Sequence, residues 1–250
     1  MGIKQPRKFM DEIIAIIPAR SGSKGISDKN IKLLAGKPLL AYSIAASQLA
    51  ANIDRVIVST DSQRYAKIAR EYGAEVPFLR PEEICRDTST DYQFIKHALD
   101  WFKDNEGRQP KYLVHIRPTT PLRNPSSIEA AIEMIMNNSN ATALRSVHEM
   151  SESAYKMMEI EDRYLKCVCS GSFNLDEANN PRQKFNKTYS PNGYIDIIVS
   201  SYVMENQKIH GDHVLSYVTE HVVEVDTIDD FDYLEYKVAC NSLLYDRLFG

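Results

Sequence analysis

Residues 13–30 have the sequence IIAIIPARSGSKGISDKN, an apolar run followed by a polar loop. It begins with an unbroken apolar run, Ile13–Ile17, which is rich in β-branched residues and too short to cross a membrane. Such a run is typical of a strand that is buried on both faces, as in a parallel sheet covered by helices. Pro18 ends the run. The polar loop that follows lies at the carboxyl end of the strand, where open α/β sheets bind ligands.

This loop, ARSGSKG at residues 19–25, has the chemistry of a polyphosphate site. Glycines permit close backbone approach, and charged side chains donate strong hydrogen bonds to phosphate oxygens. The spacing fits neither the P-loop nor the dinucleotide-binding fingerprint. A polar turn without a ligand remains the alternative, since Gly, Ser and Lys are ordinary loop residues. The candidate phosphate ligands are Arg20, Ser23, Lys24, Gly25 and Lys29.

Composition limits the classes of function. A chain of 250 residues with 43% hydrophobic content can fill the core of one substantial domain. Its net charge of -4 gives no basis for a nucleic-acid surface, and we expect no nucleic-acid partner. The sequence shows neither a signal peptide nor a run long enough to span a membrane, so we expect a cytoplasmic protein without a membrane partner. Its 4 cysteines are too few and too scattered for a disulfide framework or a zinc site.

The rest of the chain alternates strand and helix patterns. The predicted strands are 56–61, 73–79, 111–117, 141–147 and 222–227, and the predicted helices are 39–50, 62–69, 92–102, 128–136 and a last one from Asp229. Ser62, Thr90 or Asp91, and Ser126 with Ser127 are the expected helix caps. Residues 155–169 have a hairpin pattern. We therefore predict an α/β fold, a mainly parallel open sheet flanked by helices, in a single domain, 1–250, with an inserted β-arm at about 150–192.

Polar residues gather after the predicted strands. Asp61 either caps a helix or faces the nucleotide site, and both interpretations stay open. Arg80 could satisfy a base carbonyl with two fixed donors. Glu224 and Asp226 lie two residues apart on a predicted strand, so both would face one side and could hold a hard cation that bridges phosphates. The alternative for this pair is a solvated strand face.

The string PARSGSKGISDKNI closely resembles the nucleotide-binding signature of the sugar-acid cytidylyltransferases, above all the CMP-N-acylneuraminate (CMP-sialic acid) synthetases. The resemblance continues through STD at 59–61, RPEEI at 80–84, RPTTPLR at 117–123, PNG at 191–193 and EVDT at 224–227. It implies a glycosyltransferase-A-like, Rossmann-like nucleotidyltransferase fold. It also implies transfer of CMP from CTP to a nonulosonic acid, Mg²⁺ as cofactor, and a homodimer formed through residues 150–192.

The resemblance also assigns roles to single positions. It makes Arg20, Lys29 and Asp226 catalytic, and makes Asp226 and Glu224 metal ligands. It places CTP on Ala19, Arg20, Ser23, Lys24, Gly25, Lys29, Asn30, Arg80 and Ser89. It places the sugar on Arg117, Thr119, Arg182, Asn192 and Asp196.

The chain departs from the family pattern at several of these positions. Arg117 stands where Gln is usual, Asp196 where an aromatic residue is usual, and Glu224 where Asp is usual. These departures leave the particular nonulosonic acid open. The alternatives are a cytidylyltransferase for Kdo or another 2-keto-3-deoxy sugar acid, and a CTP-binding regulatory domain without catalysis.

Overall fold

The computed structural model describes residues 12–22 and 25–250. The strands are β1 (Ile13–Pro18), β2 (Leu33–Leu34), β3 (Lys37–Pro38), β4 (Arg55–Ser59), β5 (Tyr112–His115), β6 (Ala143–Glu149), β7 (Met158–Glu161), β8 (Tyr164–Cys167), β9 (Tyr189–Val199) and β10 (Val214–Thr219). The α-helices are α1 (Leu39–Leu49), α2 (Gln63–Glu71), α3 (Asp91–Glu106), α4 (Pro125–Met136), α5 (Ser200–Asn206), α6 (Ile228–Cys240) and α7 (Leu243–Phe249). In the described residues, no helix is long and apolar enough to cross a membrane.

The central sheet has six strands in the order β10-β6-β9-β5-β1-β4. Strand β1 pairs in parallel with both β4 and β5, while β5 pairs antiparallel with β9. Together with the flanking helices, this confirms the predicted α/β fold with a mainly parallel sheet. Because β1, β4 and β5 run the same way, their carboxyl ends meet at one edge of the sheet.

The apolar run that opens the sequence is the centre of the core. All residues of Ile13–Ile17 are fully buried, as expected for a strand covered on both faces. Helix α3 packs against it through Phe94, Ile95, Ala98, Leu99 and Phe102. Thr90 and Gln93 begin this helix with a capping box, and Gly107 ends it with φ at 68°. The predicted Thr90 cap is confirmed, as is Ser62 at α2.

Three local predictions are wrong. The segment 73–79 makes only an isolated bridge, Glu75 to Ile57, because Pro77 cannot donate to a ladder. The segment 222–227 is an extended loop outside the sheet; its alternation reflects burial of Val225, whose N–H donates to Thr119 O at 2.7 Å. Helix α4 is capped by Asn124 rather than by Ser126 or Ser127.

The chain divides into two compact units. The first contains the described residues up to Ser146 together with Gly193–Tyr217 and Val223–Gly250. The second contains Val147–Asn192 and Val218–Val222. Within the second unit, β7 and β8 form the predicted antiparallel hairpin.

Arg123, in the first unit, is fully buried and holds the loop after β5. Its Nη2 donates to Thr120 Oγ1 at 2.6 Å and to Arg117 O at 3.1 Å. Its Nε donates to Tyr194 O, and its Nη1 donates to Ser43 Oγ at 3.3 Å. Burial lowers the pKa of Arg123 to about 10, so the guanidinium remains charged at neutral pH. One side chain therefore ties this loop to β9 and α1.

We expect Arg123→Met to lower the free energy of unfolding by about 2–4 kcal/mol, because buried acceptors lose their donor. Urea denaturation of the purified protein measures this change. The control is Arg163→Met on the exposed hairpin turn, which should change the free energy by no more than about 0.5 kcal/mol. Equal stability of the two variants would contradict a structural role for Arg123.

Candidate active site

A cavity of about 440 Å³ opens in the first unit. It is lined by Pro18, Arg20, Gly25, Lys29, Asn30, Arg80, Ile84, Arg86, Asp87, Ser89, Thr90, Asp91, Phe94, Arg117, Pro118 and Thr119. The lining carries five cationic side chains against two carboxylates. A concave surface with excess positive charge attracts and concentrates anionic ligands.

The last residue of β4 and the residues just after it organise two parts of the cavity wall. Ser59 O accepts hydrogen bonds from Ala19 N at 2.9 Å and from Arg80 Nη2 at 2.8 Å. Asp61 Oδ1 accepts a hydrogen bond from Ser21 N at 2.7 Å, and Asp61 Oδ2 accepts one from Ser21 Oγ at 2.6 Å. Asp61 therefore braces the predicted phosphate loop, and Ser62 caps α2 instead. The helix-cap interpretation of Asp61 is therefore wrong, and its place at the nucleotide site stays a prediction.

The predicted phosphate ligands that the structure describes lie together. Arg20 Nη2 bonds Asp87 Oδ1 at 2.8 Å, and Asn30 Nδ2 donates to Arg20 O at 3.0 Å. Lys29 Nζ donates to Val225 O at 2.8 Å. The predicted ligands Ser23 and Lys24 lie outside the described residues.

Gly25 allows the loop to approach the segment before α6. A Cβ at Gly25 would lie 3.0 Å from Asp226 O, a separation tighter than ordinary van der Waals contact. Lys29 Nζ lies 3.3 Å from Asp226 Oδ1. The phosphate loop and Asp226 therefore lie side by side, although about two hundred residues separate them in the sequence.

Arg80 and Phe94 of α3 together form another part of the cavity wall. The Arg80 guanidinium lies 4.8 Å from the centre of the Phe94 ring, and its Nε donates to Ser59 Oγ at 3.1 Å. Burial lowers the pKa of Arg80, and the carboxylates of Asp61 and Asp91 act in the opposite direction. Ser89 also lines the cavity. Planar donors beside an aromatic ring are suited to holding a nucleobase.

Of the predicted sugar ligands, Arg117 and Thr119 line the cavity. Arg117 bonds Asp196, which is only 1% exposed, with Nη1 to Oδ2 at 2.9 Å. The two departures from the family pattern thus contact each other directly. Beside them, burial lowers the pKa of His115 to about 4, so its imidazole is neutral at pH 7.

Two other predicted sugar ligands belong to the second unit. Arg182 Nη2 bonds Glu149 Oε1 at 2.7 Å and Met150 O at 3.0 Å. Asn192 is buried and donates to Thr219 Oγ1 at 2.7 Å. Their roles stay predictions.

Glu224 and Asp226 have donor chemistry that fits a magnesium ion bound with phosphates. Glu224 Oε1 accepts a hydrogen bond from Thr119 Oγ1 at 3.0 Å, and the Asp226 side chain is 72% exposed. In the described part of the chain, no group of three or more His, Cys, Asp and Glu side chains could enclose a metal. Mg²⁺ commonly uses one or two carboxylates and completes its octahedron with phosphates and water. A pair of carboxylates is therefore sufficient.

The sequence analysis missed several lining residues: Arg86, Asp87, Asp91 and Phe94. The sequence pattern indicates a helix cap at Thr90 or Asp91 and assigns no binding role to Arg86, Asp87 or Phe94. Their closeness to the segment RPEEI was the available signal, since side chains that follow a ligand-binding loop often line the same site.

Comparison with known proteins places the chain in a family. The sequence model of the family described as Cytidylyltransferase matches residues 14–189. The chain is 34% identical over 222 residues to an N-acylneuraminate cytidylyltransferase of Escherichia coli O18:K1:H7, covering 89% of this chain and 50% of that protein. It therefore spans about half the length of this relative.

Two further comparisons cover nearly the whole chain. A CMP-N,N'-diacetyllegionaminic acid synthase of Legionella pneumophila is 30% identical over 240 residues, which are 92% of this chain and 97% of that protein. A solved CMP:2-keto-3-deoxy-manno-octonic acid synthetase complexed with CTP superposes with a TM-score of 0.66 at 14% identity, covering 92% of this chain and 99% of the other. The fold, the matched residues and the extent of identity together establish that the chain belongs to the cytidylyltransferase family.

Proposed function

We propose that this protein transfers CMP from CTP to the anomeric hydroxyl of a nonulosonic, sialic-type acid and releases pyrophosphate. The observation that carries this proposal is the cation-lined cavity at the carboxyl edge of β1 and β5 in a chain of the cytidylyltransferase family. Relatives named for N-acylneuraminate and legionaminic acid, at 34% and 30% identity, support the sugar class.

Catalysis then consists of positioning and charge stabilisation. The anomeric hydroxyl attacks the α-phosphorus in line with the departing pyrophosphate, and negative charge grows on the phosphate oxygens. Arg20 and Lys29 donate to those oxygens from fixed positions, since each is held by neighbouring acceptors. Arg80 and Ser89 hold cytosine, and Thr119 lies toward the sugar. No covalent intermediate is required.

Asp226, with Glu224, holds the divalent cation in this proposal. When bound there, the ion would supply positive charge that offsets the charge on the pyrophosphate. Lys29 lies beside Asp226 and adds its own charge to the same position.

Two alternatives are weaker. A Kdo enzyme is favoured only by the likeness to a Kdo synthetase, and at 14% identity that likeness shows the fold alone. A regulatory domain without catalysis does not require Arg20, Lys29 and Asp226, all of which are present. Pyrophosphate release from CTP, measured with a panel of nonulosonic acids and with Kdo, separates all three functions.

We expect Arg20→Ala to lower kcat by about 10²–10³-fold without unfolding the protein, because the guanidinium stabilises phosphate charge. Turnover and thermal unfolding are measured on the same preparation. The matched control is Arg247→Ala, an exposed arginine of α7 that also makes two hydrogen bonds, to Asn124 and Ser126. The control should turn over at nearly the wild-type rate. A folded Arg20→Ala enzyme as fast as the control would remove Arg20 from the site.

The metal proposal predicts an asymmetry between the two carboxylates. EDTA should abolish turnover and Mg²⁺ should restore it. Asp226→Asn should lower kcat by about 10²-fold or more, whereas Glu224→Gln should cost only about 10-fold, because Glu224 departs from the usual Asp and already accepts a bond from Thr119. Equal losses at saturating Mg²⁺ would contradict this ranking. Full turnover in EDTA would exclude the metal.

We propose further that the protein is a homodimer whose contact includes the β7–β8 hairpin. Ile160 and Tyr164 of this hairpin are 77% and 71% exposed, and burying such side chains in a symmetric contact is favourable. Sedimentation at micromolar concentration should show a dimer, and the double variant Ile160→Glu/Tyr164→Glu should shift it to monomer. A wild-type monomer under these conditions would overturn the proposal.

A further inference from the structure

Arg117 is held between two carboxylates. Its Nη1 donates to Asp196 Oδ2 at 2.9 Å, and its Nη2 donates to Asp91 Oδ2 at 2.8 Å. Asp196 also lies 3.9 Å from Arg145 Nε. The two guanidinium groups and the two carboxylates balance in charge. Although Arg117 lines the cavity, it is therefore not a spare cation for an anionic substrate.

The position of Arg117 is fixed by packing as well as by charge. Gly193 has φ at +61°, and a Cβ there would lie 3.1 Å from Arg117 Nη1. The carbonyl oxygen of Arg117 accepts a hydrogen bond from Arg123 Nη2. Burial alone would lower the pKa of Arg117, but Asp196 and Asp91 outweigh burial and raise it. The guanidinium is a permanent charge with little freedom to move.

Asp91 is the member of this cluster that a ligand can reach. It lies in the first turn of α3, it lines the cavity, and its side chain is 45% exposed. Arg117 holds Oδ2, and no hydrogen bond to Oδ1 is found within residues 12–22 and 25–250. An ionised carboxylate accepts hydrogen bonds and donates none. The cavity therefore presents an oriented acceptor among cations.

We propose that Asp91, oriented by Arg117, is a specificity-determining residue that accepts a hydrogen bond from an N–H or O–H group of a bound substrate. This inference rests on the proposed function. Three kinds of group have this chemistry: the exocyclic amine of cytosine, the ribose hydroxyls of CTP, and a hydroxyl or acylamino N–H of the sugar acid. Arg117 is a positioning residue in each case, because it selects which oxygen of Asp91 faces the ligand.

A structural role is the alternative, since an acidic residue in the first turn stabilises a helix through its dipole. The two roles separate in binding measurements. Asp91→Asn keeps the shape of the side chain and removes its charge. If Asp91 receives a substrate donor, the Kd for one substrate should rise about 10-fold, since a hydrogen bond to a charged group is lost. A helix-stabilising role would lower the melting temperature and leave both Kd values unchanged.

The matched control is Asp100→Asn. Asp100 lies on the same helix, its side chain is 40% exposed, and it pairs with Lys96 at 2.6 Å, but it does not line the cavity. The Asp100→Asn variant should leave the Kd values for CTP and for the sugar acid within twofold of wild type. Arg117→Lys keeps a positive charge without the planar fork and should weaken binding of the same substrate as Asp91→Asn.

The three sources of the donor give different results in calorimetric titrations with CTP, UTP, N-acetylneuraminic acid and analogues lacking single donors. A weaker Kd for CTP with loss of discrimination against UTP assigns the donor to cytosine, and a weaker Kd for CTP and UTP alike assigns it to a ribose hydroxyl. A weaker Kd for the sugar acid, with loss of discrimination against one analogue, assigns it to that group. Unchanged Kd values for both substrates in Asp91→Asn would overturn the proposal.

Binding also separates this inference from the proposed function. A wild-type protein that binds CTP but releases no pyrophosphate would refute the proposed function, and the Asp91→Asn titration would still decide the role of Asp91. A wild-type protein that binds neither CTP nor any acceptor would refute both.

Discussion

The parallel pairing of β1 with β4 and β5 is the constraint on which the site depends. Main-chain hydrogen bonds continue this pairing past the ends of the strands, with Ala19 N on Ser59 O at 2.9 Å and Ile116 N on Ile16 O at 3.0 Å. Three loops therefore leave the sheet at the same edge in fixed register. Parallel pairing of this kind brings together residues that are far apart in the sequence. Ligands of open sheets bind at this edge because the loops that meet there can supply such residues.

Buried charges hold these loops in place. Arg123 and Arg80 are both buried and donate mainly to backbone carbonyls and hydroxyl groups. Taking a charge out of water is costly unless its hydrogen bonds are replaced, so each guanidinium favours the loop arrangement that supplies acceptors. The walls of the cavity are thus fixed by interactions that a displaced loop would lose. This rigidity suits a reaction that depends on positioning.

The sequence predicted β1, the loop after it and the caps at Ser62 and Thr90, because each depends on local propensity or on a strong period. The strand predicted at 222–227 was wrong because one-sided burial of Val225 has the same period as a strand. The roles of Asp61 and Asp91 could not be predicted, because their partners lie 40 and 26 residues away. Local patterns cannot distinguish a helix cap from a side chain that braces a distant loop.

The contact between Arg117 and Asp196 changes how the two departures from the family pattern are understood. Asp196 is buried, so a neutral residue at position 117 would leave its carboxylate near Arg145 alone, at 3.9 Å. A neutral residue at 196 would in turn leave Arg117 paired only with Asp91. Because removing one partner of a buried pair costs more than removing both, the two residues are expected to change together. The pair adds no net charge to the cavity. The attraction for a polyphosphate therefore comes from Arg20, Lys29, Arg80 and Arg86, while Arg117 with its carboxylates shapes the part of the wall that distinguishes one substrate from another.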